Sequence, residues 1–173
     1  MILKKVLVLY CLALCILCVT AEPASAQVVS TSNLRPAHRA TLETWLQSRP
    51  RLRLATEKDC RNIEGLVASR TEYGRDYQPY YVLGDFNRDG QQDFAVALID
   101  RRKSARKFAI AIFNGPFNQR RTSSPSFFTE GVDLSDGGLF VLSGNRLVAG
   151  VFQSDNCVVL QPRRGTYVMK DCL

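Results

Sequence analysis

Gly84-Asp85-Phe86-Asn87-Arg88-Asp89-Gly90-Gln91-Gln92-Asp93-Phe94 places the side-chain oxygens of Asp85, Asn87, Asp89 and Asp93 within nine residues and runs straight into the apolar stretch Ala95-Val96-Ala97-Leu98-Ile99. Counted from Asp85 as position 1, Asn87, Asp89 and Asp93 fall at positions 3, 5 and 9. Gly90 at position 6 permits a sharp turn, and Gln91 offers its carbonyl at position 7. This is the spacing by which a short loop wraps a hard cation such as Ca²⁺ in oxygen. The plain alternative is a hairpin turn at Asp89-Gly90 with incidental acids, although a turn alone needs no acids at further alternate positions. With Tyr80-Tyr81-Val82-Leu83 before the loop and Phe94 to Ile99 after it, the pattern reads strand, loop, strand.

The loop resembles the Asp-x-Asn-x-Asp-Gly-x-x-Asp element of FG-GAP and VCBS-type repeats, and the flanking strand-like runs match as well. The resemblance covers roughly 20 residues. It implies a loop that joins two strands of a small antiparallel unit and binds calcium through Asp85, Asn87, Asp89, Gln91 and Asp93. An EF-hand uses the same early spacing but places a bidentate Glu at position 12 and a helix after the loop. Here position 12 is Val96, in a run of strand formers. No second copy of the element occurs, since Asp133-Leu134-Ser135-Asp136-Gly137 lacks its spacing, so a multi-blade propeller is not expected.

Residues 1–26 carry Lys4 and Lys5, an apolar run from Val6 to Val19, and Ala24-Ser25-Ala26, the layout of a secretory signal peptide with its cleavage site. The apolar run is short for a membrane span and no second one follows. Leu14 and Leu17 precede Cys15 and Cys18 where a lipobox would want a small residue, so a secreted or periplasmic protein with no span after cleavage is expected. Residues 27–33 read as a linker and 34–173 as a single domain containing the acidic loop 85–93.

Cleavage after Ala26 leaves 147 residues, with 21 Lys and Arg against 15 Asp and Glu. Such a chain can bury about two-thirds of its unfolded surface, and its surface is basic. Arg101, Arg102, Lys103 and Arg106 occupy one expected hairpin tip, Arg120 and Arg121 a long loop, and Arg163 and Arg164 another tip. If these share one end of a sheet they form an anion-attracting rim for an anionic envelope component or an acidic protein; otherwise they are solvated turn residues that keep the chain soluble. No nucleic-acid partner is expected, because no basic stripe is interleaved with aromatics.

Three cysteines survive cleavage, Cys60, Cys157 and Cys172, which in an oxidising compartment implies one disulfide and one thiol. A hairpin turning over Pro162 to Gly165 would set Cys157 opposite Lys170, two residues short of Cys172. Cys60 with Cys172 is therefore the expected pair, with Cys60 to Cys157 left open. Three scattered Cys and one His have none of the paired spacings of a zinc site.

Pro36 suits a first helical turn and Asn33 a cap, with Leu34, Ala37, Thr41, Leu42, Trp45 and Leu46 on one face; Pro50 ends that helix. Thr56 and Asp59 resemble a capping box before a second helix whose apolar stripe is Cys60, Ile63, Leu66 and Val67. Strands are expected at Tyr80 to Leu83, Asp93 to Ile99, Lys107 to Phe113, Gly138 to Leu142, Arg146 to Phe152, Cys157 to Gln161 and Thr166 to Lys170. The expected fold is α+β: two N-terminal helices packed on an antiparallel β-meander of about six to seven strands.

No Gly-x-Ser-x-Gly elbow, phosphate-cradling glycine loop or His-Glu-x-x-His is present. His38, the sole histidine, reads as a surface or capping residue. Two functional readings stand. One is a calcium-stabilised, non-catalytic binding module. The other is a small envelope hydrolase whose carboxylates, among Glu64, Glu72, Asp76 and Glu130, converge only in the fold.

Overall fold

The computed structural model describes residues 33–117 and 124–172. The expected signal peptide, nearly all of the linker, and Arg120 and Arg121 lie outside those residues. In chain order the elements are helix α1 (Pro36–Gln47), strand β1 (Leu52–Leu54), a 3-10 turn (Glu57–Asp59), helix α2 (Ile63–Tyr73), and strands β2 (Tyr81–Gly84), β3 (Asp93–Asp100), β4 (Phe108–Phe113), β5 (Phe127–Val132), β6 (Gly137–Leu142), β7 (Arg146–Val151), β8 (Cys157–Arg163) and β9 (Thr166–Asp171).

The apolar run after the acidic loop decides the architecture. A strand sends alternate side chains to opposite faces, so an uninterrupted apolar run can be satisfied only if both faces are covered. In β3, Ala95, Ala97 and Ile99 join one core cluster and Phe94, Val96 and Leu98 the other. β4 repeats the division, with Phe108, Ile110 and Ile112 on one side and Ala109, Ala111 and Phe113 on the other. The first cluster extends to Leu139, Leu147, Ala149, Leu160 and Tyr167 of the second sheet. The second takes in Leu34, Leu42 and Trp45 of the first helical segment. Phe94 stacks on Phe113 at 4.7 Å between ring centroids, and Trp45 meets Phe113 edge-on at 5.7 Å, so Trp45 is core.

The α+β class holds, but the single meander does not: among the described residues there are nine strands in two antiparallel sheets. One sheet runs β1-β3-β4-β5 with β2 also on β3; the other runs β6-β7-β8-β9. β1 and β2 lie end to end along the same side of β3, meeting at Ala97, which accepts from the Ala55 amide and donates to the Tyr80 carbonyl. β1 alternates as Leu-Arg-Leu but is only three residues long, too short to show a period, and β5 carries Thr129, Glu130 and Gly131 in place of apolar alternation.

The expected Cys60–Cys172 bridge is replaced by Cys157–Cys172, with Cα atoms 5.4 Å apart, and Cys60 is a buried free thiol. The cause is the turn. Arg163 pairs with Thr166, so the loop is only Arg164-Gly165, with φ of 49° and 82°. Left-handed φ at both central residues is the tight type I′ arrangement. It sets Val158 opposite Asp171 and lets the Cys172 amide donate to the Cys157 carbonyl, bringing the two thiols into register.

Helix details also differ. Arg35, not Asn33, is the N-cap of α1. In α2 the cap is Asn62, whose Oδ1 accepts from the Gly65 amide; Leu66 is buried, whereas Ile63 and Val67 are exposed. The Thr56–Asp59 capping box exists, but it starts the 3-10 turn.

Candidate cation site

The acidic loop closes the β2–β3 hairpin, Gly84 pairing with Asp93. Its oxygens turn inward onto its own amides. Asp85 accepts from the Asp89 and Gly90 amides, both at 3.0 Å. Asn87 Oδ1 accepts from the Asp89 amide at 3.1 Å, and Asp89 accepts from the Gln91 amide at 2.8 Å and from Asn87 Nδ2 at 2.8 Å. Arg88 and Gly90 have φ of 63° and 81°, the left-handed steps that curl the chain over Asp85.

Asp93 is fully buried. Its Oδ2 accepts from the Phe86 and Asn87 amides, at 2.8 and 3.2 Å, and its Oδ1 from the Gly115 amide at 3.0 Å. Burial pushes this carboxyl above its usual range, the three amide hydrogens pull it back in part, and the Asp89 charge adds to the rise. Asp93 is thus a clasp tying the loop to the segment after β4. Gly115 is required there, because a Cβ would stand 2.6 Å from the Gln92 carbonyl oxygen. On the other flank the Arg35 guanidinium donates to Gln92 Oε1.

A carboxylate offers about four lone-pair sites. Asp85 and Asp89 each spend two on hydrogen bonds and Asp93 three, so oxygen capacity is left at every acidic position. All donors are hard oxygens, which fits Ca²⁺ and not a thiolate-seeking or imidazole-seeking metal. Among the described residues, no three His, Cys, Asp or Glu side chains are grouped closely enough to hold an ion as they stand.

His38 lies beside this loop and is not a surface residue. It is 4% exposed, stacked on Phe94 at 4.5 Å and edge-on to Phe117, with Nδ1 2.8 Å from the Tyr81 hydroxyl. Burial, with the Arg35 charge adding to it, lowers its pKa to about 4. The helical spacing that sets Leu42 and Trp45 inward carries His38 with them, a signal readable from its i, i+4 relation to Leu42.

The basic tips separate. Asp93 and Phe113 mark one end of the first sheet, where Thr166 Oγ1 donates to the Ser126 carbonyl and Tyr167 hydrogen-bonds Asn114; Arg163 and Arg164 belong to that end. Arg101, Arg102, Lys103 and Arg106 join Asp100 to Phe108 at the opposite end. A single rim formed by both tips is therefore not what the fold builds.

Of the carboxylates considered for hydrolysis, Glu64 and Glu72 lie on α2, Asp76 follows it and Glu130 is on β5. Glu130 is held below its usual range, chiefly by the Arg51 guanidinium. A cavity of about 490 Å³ opens between Leu34, Arg53, Tyr81 and the 3-10 turn, and Glu57 and Asp59 line it. Glu57 accepts from Arg70. Asp59 takes a two-pronged pair from Arg53, at 2.5 and 2.7 Å, and caps Thr56. Burial alone would raise Asp59, but Arg53 and Thr56 outweigh it and the carboxyl sits low.

No protein-family model, curated protein or solved structure matches this chain.

Proposed function

We propose that the chain is an exported, calcium-stabilised, non-catalytic binding module. In this reading Asp85, Asn87, Asp89, the Gln91 carbonyl and Asp93 hold Ca²⁺ in a single loop of the FG-GAP/VCBS kind, and the protein works in a secreted or periplasmic setting. The two N-terminal helices cover the strands as one scaffold, and a basic loop tip meets an anionic envelope component or an acidic protein.

The observation that carries the reading is the inward turn of the loop. Asp85, Asn87 and Asp89 are curled toward one another by amide hydrogen bonds while lone pairs remain free at each acid. The ion would neutralise three carboxylates that otherwise crowd one hairpin end, and it would bind the native state only. Calcium titration followed by melting tests this. Asp89→Asn keeps an acceptor for the Gln91 amide but removes a charge, so it should melt like the parent in chelator and lose most of the calcium-dependent rise. A rise of the same size in the variant would remove the loop from the calcium account.

A further inference from the structure

The β3–β4 tip differs from the other basic turns in how it is built. Residues 101–106 are all exposed. Beneath them, Asp100, 1% exposed, accepts from Arg51 at 2.5 Å and from the Arg102 amide at 3.0 Å. Glu130 accepts from Arg51 and lies 3.5 Å from Lys103 Nζ. The Arg101 amide donates to the Arg51 carbonyl, the Lys103 amide to the Asp100 carbonyl and the Asp100 amide to the Lys107 carbonyl. Buried Asp100 and half-buried Glu130 thus anchor the turn from below while its cations face outward.

Six cations, Arg51, Arg101, Arg102, Lys103, Arg106 and Lys107, stand against three acids, Asp100, Glu130 and Asp133, an excess of three positive charges. Among the described residues, Arg101, Arg106 and Lys107 make no salt bridge. Arg106 also holds a φ of 45°, a conformation that Gly or Asn adopts more easily.

We infer that this tip is the docking surface of the binding module proposed above, and that its partner is a linear acidic polysaccharide bearing sulfate or carboxylate groups. The inference rests on that reading and narrows it. Between the cations the tip carries only Ser104 and Ala105, with no aromatic or large aliphatic side chain. A protein partner is held by buried aromatic or Arg anchors in pockets, and a bilayer by inserted apolar side chains. Single-stranded nucleic acid is held by stacking on aromatics. A charge-only turn presenting arginine forks suits repeated sulfates or carboxylates read two oxygens at a time.

The probe is heparin, a sulfated polysaccharide, immobilised and washed at increasing salt with calcium present. The parent should be retained at 0.15 M salt, and Arg101→Ser with Arg106→Ser should bind about tenfold more weakly or worse. Both side chains are exposed, so its melting temperature should match the parent. Arg163→Ser with Arg164→Ser, at the opposite end, should bind as the parent does. Retention of the parent with no loss in the first double variant, or equal loss in both, overturns this surface while leaving an anion-binding module standing. Equal retention on duplex DNA of matched charge, or on anionic vesicles, overturns the polysaccharide assignment. A parent that none of these supports retains removes the anion-recognition part of the module together with this surface.

Discussion

Asp93 joins three segments with one carboxylate: its own strand, the loop residues Phe86 and Asn87, and Gly115 beyond β4. An unpaired buried acceptor or donor costs about 1 to 3 kcal/mol, so these bonds hold the loop shut with or without an ion. Gly115→Ala should break the clasp by forcing the new Cβ against the Gln92 carbonyl. We expect a loss of about 1 to 3 kcal/mol in urea unfolding; a variant within the error of the parent would contradict the close approach. His38 gives a pH signature. Its native pKa is about 4 against 6.5 when unfolded, so between these values the unfolded chain binds more protons and stability falls as pH drops. The deficit is absent above pH 6.5 and complete below pH 4, reaching about 3 kcal/mol. Asp93, raised by burial, works in the opposite sense, and Asp59 and Glu130, both lowered, begin to lose their contributions as pH falls through their ordinary values of 3.8 and 4.5. His38→Phe should flatten the melting profile between pH 6.5 and 4; an unchanged slope would place the titration elsewhere. At this scale the loop was legible because alternate acids and a glycine are a local pattern. The Gly115 contact was not, since it joins residues 22 apart through backbone atoms that leave no mark in side-chain chemistry.

The hairpin of β8 and β9 shows how a turn sets an element's chemistry. Two left-handed residues shorten the loop, shift the register by two from the wider turn expected, and align Cys157 with Cys172. The oxidised, denatured protein freed of residues 1–26 should therefore show one reactive thiol, that of Cys60, and digestion should release Cys157 linked to Cys172. A Cys60-containing linked peptide would overturn the pairing. Replacing both bridged cysteines with Ala should cost about 3 kcal/mol for a closure spanning 15 residues, read from thermal melting. Arg164→Asn should do the reverse and add a few tenths to about 1 kcal/mol, since Asn-Gly suits this turn. Strands that alternate or run apolar, such as β3 and β4, were readable in the sequence. β1 and β5 were not, because three residues carry no period and Glu130 sits on β5 to meet Arg51 and Lys103. The stripe expected for α2 holds only in part: Cys60 and Leu66 are buried, but Ile63 and Val67 are exposed and Ser69 turns to the core instead.

For the molecule as a whole, the first sheet is covered on both sides and the acidic loop sits at one of its ends. Anything that tightens the loop acts on β2, β3 and, through Gly115, the β4 end together, so calcium should stabilise the domain and not merely order a turn. A ligand that binds only the native state stabilises by about 2.7 kcal/mol at a hundredfold excess over its dissociation constant, which is several degrees for a domain of this size. The direct measurement is the melting temperature of the protein freed of residues 1–26, in millimolar calcium and in chelator. A rise of several degrees with calcium in the parent, lost in Asp89→Asn, is what the account predicts; superimposable curves for the parent would contradict it.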